Sequence, residues 1–271
     1  MSQYESIVLD VDRTLTNRDK VITPKTKETL MELQKRGKKI VLASGRPTVG
    51  VMPLARELEL EKYGSYILSF NGGMITDCKT GETIFSQLLP LESNAKIISL
   101  AEKEQVGILT YSSDGRILYT NQSDSPYARL EQKINHMEIC QVDDMTAKIN
   151  YQVPKFLMIE DGDFLAMTEP RVKAAMGKNF SVYRSEPFFL EVLPRGIDKA
   201  ASLERLLNII GLKREQMIAC GDGYNDLTMI KYAGLGVAME NAVLPVRKAA
   251  DYITYSNNDD GVAHVVEKFM L

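Results

Sequence analysis

The segment IVLDVD at residues 7–12 ends an apolar run in two aspartates that are one residue apart. In an extended chain, residues two apart point to the same face, so we expect Asp10 and Asp12 to share one face of a strand end. Two carboxylates in that position repel each other unless a cation or a proton lies between them. The pair therefore predicts a site that binds a cation or shares a proton.

Other groups that could do chemistry follow three later strand-like segments. They are Ser44-Gly45-Arg46, Asn71-Gly72-Gly73 and the segment GDGYND at residues 221–226, and Lys199 opens the helix predicted before the last of them. In open parallel sheets, ligands bind beyond the carboxyl ends of strands, where such loops converge. Carboxylate oxygens without histidine or cysteine favour Mg²⁺ over zinc. We therefore expect one magnesium site built from several strand ends.

Phosphoryl transfer suits these groups, because it needs an in-line nucleophile, a divalent cation and donors around the phosphoryl oxygens. Asp10 can be the nucleophile and form an aspartyl-phosphate. Asp12 can protonate the leaving oxygen and later take a proton from water, and we expect burial and anionic neighbours to raise its pKa. Lys199 and Mg²⁺ would keep the carboxylates from repelling the substrate.

Each element alone has a simpler explanation. An Asp-x-Asp after a strand is often a solvated turn, and GDGYND could be a turn in which Gly and Asn adopt positive φ. Ser44-Gly45 could be a tight loop, and Lys199 could be a surface lysine, although the helix dipole disfavours a cation in the first turn. The occurrence of all of them, in this order at predicted strand ends, favours the catalytic interpretation.

The elements that must position these residues indicate an α/β fold. Near the N-terminus, Thr23 and Pro24 start a predicted helix between two apolar strands, and Gly37 ends it. In the middle of the chain, shorter strands and amphipathic helices are more typical of an inserted α+β domain. We predict a Rossmann-like parallel-sheet core domain at 1–83 and 188–271, and an inserted α+β cap domain at 84–187.

Composition excludes several other classes of protein. The chain has 271 residues, of which 44% are hydrophobic and 25% charged, as in ordinary globular proteins. Its net charge of -3 and the lack of a basic stripe argue against nucleic acid and membrane surfaces as partners. No apolar run reaches the roughly 20 residues that span a bilayer. Three widely spaced cysteines suggest neither a disulfide framework nor a zinc site, and we expect a cytoplasmic protein.

The motifs resemble those of a known family. DVDRTLT, ASGRP, RGIDKA and GDGYNDLTMI, in that order, resemble the four motifs of the haloacid dehalogenase superfamily. SFNGG, LGVAMENA and SNNDDGVA resemble its Cof-type, sugar-phosphatase-like branch. The resemblance spans roughly residues 5–83 and 188–267, and it implies that the middle segment is an α/β (type IIB) cap inserted after the third strand.

The resemblance also implies a role for each matching residue. Asp10 would be the nucleophile and Asp12 the general acid and base, with Mg²⁺ held by Asp10, Asp222 and the backbone carbonyl of Asp12. The phosphate would be bound by Ser44 and Lys199. The further candidates for phosphate contact are Gly45, Arg46, Asn71 and Asn225. Asp226 would support the metal ligands without binding the ion itself.

One position departs from the family pattern, which is Asp-x-Asp-Gly-Thr. This chain has Arg13 where the glycine usually lies, and glycine permits backbone angles that other residues avoid. We expect activity to be retained because every charged catalytic position is present. An alternative is that Arg13 contacts an anion at the mouth of the pocket.

The sequence thus predicts a Mg²⁺-dependent phosphatase that hydrolyses small phosphorylated metabolites, with sugar phosphates preferred, through an aspartyl-phosphate. Two alternatives stay open. One is a phosphomutase of the same superfamily, and the other is a non-catalytic phosphoacceptor or metal-binding module. The sequence does not predict the oligomeric state.

Overall fold

The computed structural model describes residues 2–271 and divides into two compact units. The core unit comprises the chain up to Phe85 together with Asp198–Leu271, and the inserted unit comprises Ser86–Ile197. Each unit has its own sheet and its own apolar core. The α/β class that the sequence predicts is therefore confirmed.

Fourteen strands occur within the described residues. They are β1 Ser6–Asp10, β2 Lys39–Ala43, β3 Tyr66–Ser69, β4 Met74–Asp77, β5 Thr83–Ser86, β6 Gly107–Tyr111, β7 Ile117–Thr120, β8 Glu138–Gln141, β9 Phe156–Ile159, β10 Phe180–Glu186, β11 Phe189–Pro194, β12 Met217–Gly221, β13 Leu235–Ala238 and β14 Tyr252–Ile253.

Eleven α-helices join these strands within residues 2–271. They are α1 Pro24–Lys35, α2 Thr48–Glu57, α3 Leu60–Tyr63, α4 Ser93–Lys103, α5 Pro126–Asn135, α6 Met145–Lys148, α7 Gly162–Met176, α8 Lys199–Ile210, α9 Leu227–Tyr232, α10 Leu244–Ala249 and α11 Gly261–Phe269. In this part of the chain, no helix combines the length and the apolar character that crossing a membrane requires.

The core unit is an eight-stranded sheet in the order β14-β13-β12-β1-β2-β3-β4-β5. The strands from β14 to β3 pair in parallel, and β4 runs antiparallel to β3. All five residues of β1 are buried, which explains the uninterrupted apolar run at its three central positions, 7–9. The strand order changes direction at β1, because β2 and β3 lie on one side of it and β12 and β13 on the other. Crevices for ligands form at the carboxyl ends of strands at such a point.

The first connecting helix forms as its sequence predicts. Thr23 caps α1 by accepting a hydrogen bond from the backbone N–H of Thr26, and Pro24 occupies the first turn, where its missing N–H is not needed. Leu30 and Leu33 are fully buried in the core cluster of the unit. This helix returns the chain so that β2 pairs with β1 in parallel, with Asp10 beside Ala43 in the register.

The inserted unit is a six-stranded, mostly antiparallel sheet in the order β10-β11-β9-β6-β7-β8. Strands β7 and β8 form its parallel pair. One face of this sheet packs against α4, α6 and α7 through a second apolar cluster, in which Ile108, Phe156, Met158 and Leu190 are buried. The structure therefore has the α+β character predicted for the middle segment.

Two predicted boundaries differ from the structure. The sequence assigned residues 188–197 to the core, but β11 pairs with β9 and β10 and so belongs to the inserted unit. The insertion was also expected after the third strand. Instead, the turn at 70–73 reverses the chain, and β4 and β5 extend the core sheet before the inserted unit begins.

Candidate active site

Four strand ends of the core unit carry the polar residues singled out in the sequence. Asp10 ends β1, Ser44 follows β2, Asn71 follows β3, and Asp222 follows β12. In the register of the sheet, Asp10 lies beside Ala43 on one side, and Leu9 lies beside Cys220 on the other. Parallel pairing thus brings the loops after β1, β2 and β12 to one edge.

Lys199 is the cation at the centre of this edge. Its Nζ donates to Asp10 Oδ1 at 2.7 Å, to Asp226 Oδ1 at 2.6 Å and to the backbone carbonyl of Ala43 at 2.7 Å. The side chain is fully buried, and all three ammonium hydrogens have acceptors. Burial alone would lower the pKa of Lys199, but the carboxylates of Asp10 and Asp226 outweigh burial and raise it. Lys199 therefore stays charged.

Asp226 has a partner for each of its carboxylate oxygens. Oδ1 accepts from Lys199, and Oδ2 accepts from the backbone N–H groups of Asp222 and Gly223 at 2.9 and 2.8 Å. The residue is completely buried. Gly221 allows this close approach, because a Cβ at that position would lie 2.5 Å from the Cβ of Asp226. Asp226 therefore positions Lys199 and the loop after β12.

Asp10 has a strongly perturbed environment. Burial raises the pKa of its carboxyl group well above the usual value, and Asp226 raises it further, while Lys199 acts in the opposite direction. Oδ1 is bound to Lys199, and within residues 2–271 Oδ2 makes no hydrogen bond. Asp10 thus has one carboxylate oxygen that is not committed to a protein partner.

Asp222 completes a cluster of three carboxylates. Carboxylate oxygens of Asp10, Asp222 and Asp226 lie within 4.8 Å of one another. Burial and the nearby Asp226 raise the pKa of Asp222 to about 6, although Arg13 and Lys199 oppose this shift. Thr14 directs its hydroxyl toward Asp222 Oδ1 at 3.4 Å. The all-oxygen donor set fits a hard divalent cation such as Mg²⁺.

Asp12 differs from its sequence-based prediction. Arg46 donates two hydrogen bonds to its carboxylate, at 2.8 and 2.7 Å, and Lys20 donates a third at 2.6 Å. Burial alone would raise the pKa of Asp12, but Arg46 and Lys20 outweigh it, and the pKa falls below its usual value. The expectation of a raised pKa was wrong, because cations rather than anions surround this side chain.

The candidate phosphate ligands of the other loops are linked to one another. Ser44 Oγ accepts from the backbone N–H of Arg46 at 3.1 Å, and the backbone carbonyl of Ser44 accepts from the N–H of Asn71 at 2.9 Å. Asn225 donates to Asn71 Oδ1 at 3.1 Å. A Cβ on Gly45 would lie 3.2 Å from the same oxygen, so the loop after β2 packs closely on Asn71. The structure thus brings these five residues together.

Three residues near the cluster were given no role by the sequence analysis, although two of them, Thr14 and Asn241, lie within the motifs DVDRTLT and LGVAMENA. Lys20 reaches Asp12 from a turn ten residues beyond the end of β1, and Thr14 and Asn241 contact Asp222 and Arg13. Lysine, threonine and asparagine are common in exposed turns, so their residue types do not distinguish them. Only the folded chain identifies these contacts.

A comparison with known protein families gives a match over almost the whole chain. Residues 7–266 match the family of haloacid dehalogenase-like hydrolases. The match includes both segments of the core unit and the inserted unit between them. The resemblance inferred from the motifs is therefore confirmed.

Relatives with known names or structures agree with this assignment. A haloacid dehalogenase-like hydrolase from Bacteroides thetaiotaomicron is 46% identical, with a TM-score of 0.94 over 98% of this chain and 99% of that one. A Streptococcus pyogenes serotype M6 protein with a provisional phosphatase name is 32% identical over 98% of both chains. A Bacillus subtilis 5-amino-6-(5-phospho-D-ribitylamino)uracil phosphatase is 29% identical, over 98% of this chain and 95% of that protein.

Proposed function

The chain belongs to the haloacid dehalogenase-like hydrolases and is a phosphatase, and from that premise we propose that it hydrolyses small phosphorylated metabolites with Mg²⁺ through an aspartyl-phosphate on Asp10. The observation that carries the proposal is the contact of Lys199 with both Asp10 and Asp226, next to Asp222. This contact supports the proposal because it joins a carboxylate that can act as a nucleophile to a fixed cation and to further acidic groups at one strand edge.

Magnesium suits the donors of this edge. Asp10 and Asp222 would hold the ion together with the backbone carbonyl of Asp12, while Asp226, whose oxygens already accept three hydrogen bonds, would support them. When bound, the ion supplies positive charge against the phosphoryl oxygens and the acidic ligands. The raised pKa of Asp10 is consistent with a carboxylate that lacks enough positive charge from the protein alone.

Asp10 is the nucleophile in this proposal. Its carboxylate attacks phosphorus, the bond from phosphorus to the ester oxygen breaks, and an aspartyl-phosphate forms. Lys199 favours the ionised form of Asp10 and orients its carboxylate, because it binds Oδ1 at 2.7 Å from a fully buried position. Ser44, Asn71 and Asn225 stand at the neighbouring loop ends as hydrogen-bonding groups for the phosphate.

Asp12 is the proton carrier in this proposal. In its protonated form it gives its proton to the departing ester oxygen, and in the second step its carboxylate takes a proton from the water that attacks the aspartyl-phosphate, which releases inorganic phosphate and restores the protonated form of Asp12. The contacts with Arg46 and Lys20 favour the ionised form of Asp12. Asp12 must therefore leave these contacts before it can carry a proton to the leaving group.

Phosphate esters of polyhydroxylated small molecules, such as sugar phosphates, are the substrates that we favour. The Bacillus subtilis relative acts, by its name, on a phosphoribitylamino compound, in which the phosphate is carried by a polyol chain. Its alignment covers nearly the whole of both chains. The net charge of -3 provides no basic surface that would favour a polynucleotide substrate.

A panel of phosphate esters tests the proposal. Sugar phosphates, polyol phosphates, nucleotides and p-nitrophenyl phosphate are incubated with the protein and MgCl₂, and inorganic phosphate release is measured. We expect release from sugar or polyol phosphates that stops with EDTA and with Asp10→Asn. The matched control is Asp19→Asn, which changes an exposed aspartate of a nearby turn and leaves the rate unchanged.

Three outcomes contradict the proposal in distinguishable ways. Phosphate kept in an isomeric product indicates a phosphomutase. A stable phosphoprotein without turnover of p-nitrophenyl phosphate indicates a phosphoacceptor module. Turnover that EDTA does not affect excludes the divalent cation.

A further inference from the structure

Arg13 has a left-handed backbone conformation directly after Asp12. Its φ is 63°, in a region that non-glycine residues adopt at some energetic cost. The side chain is largely exposed, yet its Nε lies 3.3 Å from Asp222 Oδ2, which is almost completely buried. A residue in a strained conformation therefore places its guanidinium on a candidate metal ligand.

Reciprocal contacts with Asn241 hold Arg13 in this position. Arg13 Nη2 donates to the backbone carbonyl of Asn241 at 3.2 Å, and Asn241 Nδ2 donates back to the carbonyl of Arg13 at 2.9 Å. Asn241 is itself fixed, since its Oδ1 accepts from the backbone N–H of Asn257 at 3.0 Å. The loop after β13 thus fixes both the backbone and the side chain of Arg13.

Two cationic side chains, Lys199 and Arg13, pair with different carboxylates of the acidic cluster. Lys199 binds Asp10 and Asp226 directly, and Arg13 is paired with Asp222. In the protein without metal, the guanidinium therefore provides the positive charge at the carboxylate that Lys199 does not bind. A divalent cation on Asp222 would lie close to this guanidinium, and two cations that share one carboxylate repel each other.

We propose that Arg13 is a resident counter-ion of Asp222 that a divalent cation must displace, so that Arg13 weakens metal binding at this site. This inference rests on the proposed metal site of the phosphatase. It assigns Arg13 a function in the metal-free protein. It also predicts that the guanidinium leaves Asp222 when the metal binds.

Calorimetric titration with MgCl₂ alone, without substrate, tests the inference. Arg13→Gln removes the charge but keeps a side chain, and we expect it to bind Mg²⁺ about tenfold more tightly than the wild type or better, which corresponds to about 1.4 kcal/mol. Arg13→Lys, which keeps a cation, should stay closer to the wild type. The matched control is Arg18→Gln, an exposed arginine five residues along the chain, and its affinity should not change.

A second measurement separates charge from backbone strain. The thermal unfolding midpoint is recorded with and without MgCl₂, and Arg13→Gln should show a larger rise than the wild type, since tighter binding stabilises the folded state more. Arg13→Gly also relieves the left-handed strain, so its metal-free midpoint should exceed that of Arg13→Gln.

The outcomes distinguish this inference from the proposed function. Equal Mg²⁺ affinities of wild type and Arg13→Gln, or weaker binding by Arg13→Gln, overturn the role of Arg13 and leave the metal site intact. Absence of Mg²⁺ binding in both proteins overturns the metal site and, with it, this inference.

Discussion

Arg46 binds Asp12 through two parallel hydrogen bonds, from Nε to Oδ2 at 2.8 Å and from Nη2 to Oδ1 at 2.7 Å. Such two-point contacts between a guanidinium and a carboxylate are among the stronger hydrogen-bonded pairs in proteins. The pair orients the carboxylate of Asp12. The proton-carrying role proposed for Asp12 therefore requires that it exchange this internal partner for the substrate.

Replacing Asp12 tests its role through the leaving group. Asp12→Asn should slow the first step by about 10²–10⁴-fold for an alkyl phosphate, whose alkoxide needs a proton. The effect should be much smaller for p-nitrophenyl phosphate, because p-nitrophenolate leaves without a proton. Release of the alcohol or phenol is measured in a single turnover. An equal loss for both substrates would mean that Asp12 does not protonate the leaving oxygen.

Lys199 should be essential for stability as well as for the site. Lys199→Met leaves Asp10 and Asp226 buried without their shared cation, and we expect a loss of about 3–5 kcal/mol in the free energy of unfolding. The matched control is Lys25→Met, which breaks an exposed ion pair with Glu267 and should cost less than about 1 kcal/mol. Urea unfolding followed by circular dichroism measures both values. Similar losses for both variants would contradict the central position of Lys199.

A buried polar cluster in the inserted unit predicts a dependence of stability on pH. Glu131 Oε1 accepts from the hydroxyl of Tyr111 at 2.9 Å and from Asn135 at 2.8 Å. Nearby, Lys155 and Glu191 form a buried ion pair at 3.0 Å. Burial raises the pKa of Glu131 above its usual value of 4.5, although Lys155 opposes the shift. As pH rises, Glu131 therefore stays protonated up to a higher pH in the folded state than in the unfolded state.

The sign of the effect follows from proton binding. Below the unfolded-state pKa of about 4.5, both states are protonated and the contribution of Glu131 to stability is complete. As pH rises toward the folded-state pKa, the unfolded state releases its proton first, and this contribution is lost. Glu131→Gln has no such proton, so its stability relative to the wild type should increase as pH rises from 4.5.

Urea unfolding between pH 4.5 and 8 checks this difference. The matched control is Glu138→Gln, an exposed glutamate of β8, whose curve should run parallel to that of the wild type. A Glu131→Gln curve that also runs parallel would show that Glu131 is ionised in both states.

The part of the site that follows from strand ends could be predicted from the sequence. Asp10 comes directly after a short apolar run and Asp222 comes one glycine after another, and parallel pairing then brings both to one edge. The helix that Lys199 was predicted to open does begin at Lys199 in the structure, where Asp198 caps it. At these positions, the local sequence is enough to predict where a strand ends or a helix begins.

Other features depend on contacts between distant parts of the chain. All six residues of β11 are buried, so its sequence resembles a core strand, and only its pairing with β9 and β10 assigns it to the inserted unit. The environment of Asp12 depends likewise on where the side chains of Lys20 and Arg46 fold back. The pattern of apolar and polar residues along the sequence does not show which distant strands pair or which distant side chains come into contact.

The most direct test of the account is the identity of the phosphorylated residue. The Asp12→Asn protein is mixed with p-nitrophenyl phosphate and MgCl₂ and quenched in acid, and the acyl-phosphate is reduced with tritiated borohydride before peptide mapping. We predict the label on Asp10, because Asp12→Asn lacks the base that assists water in the second step and the intermediate accumulates. Label on another residue, or no label while phosphate is still released, would contradict the account.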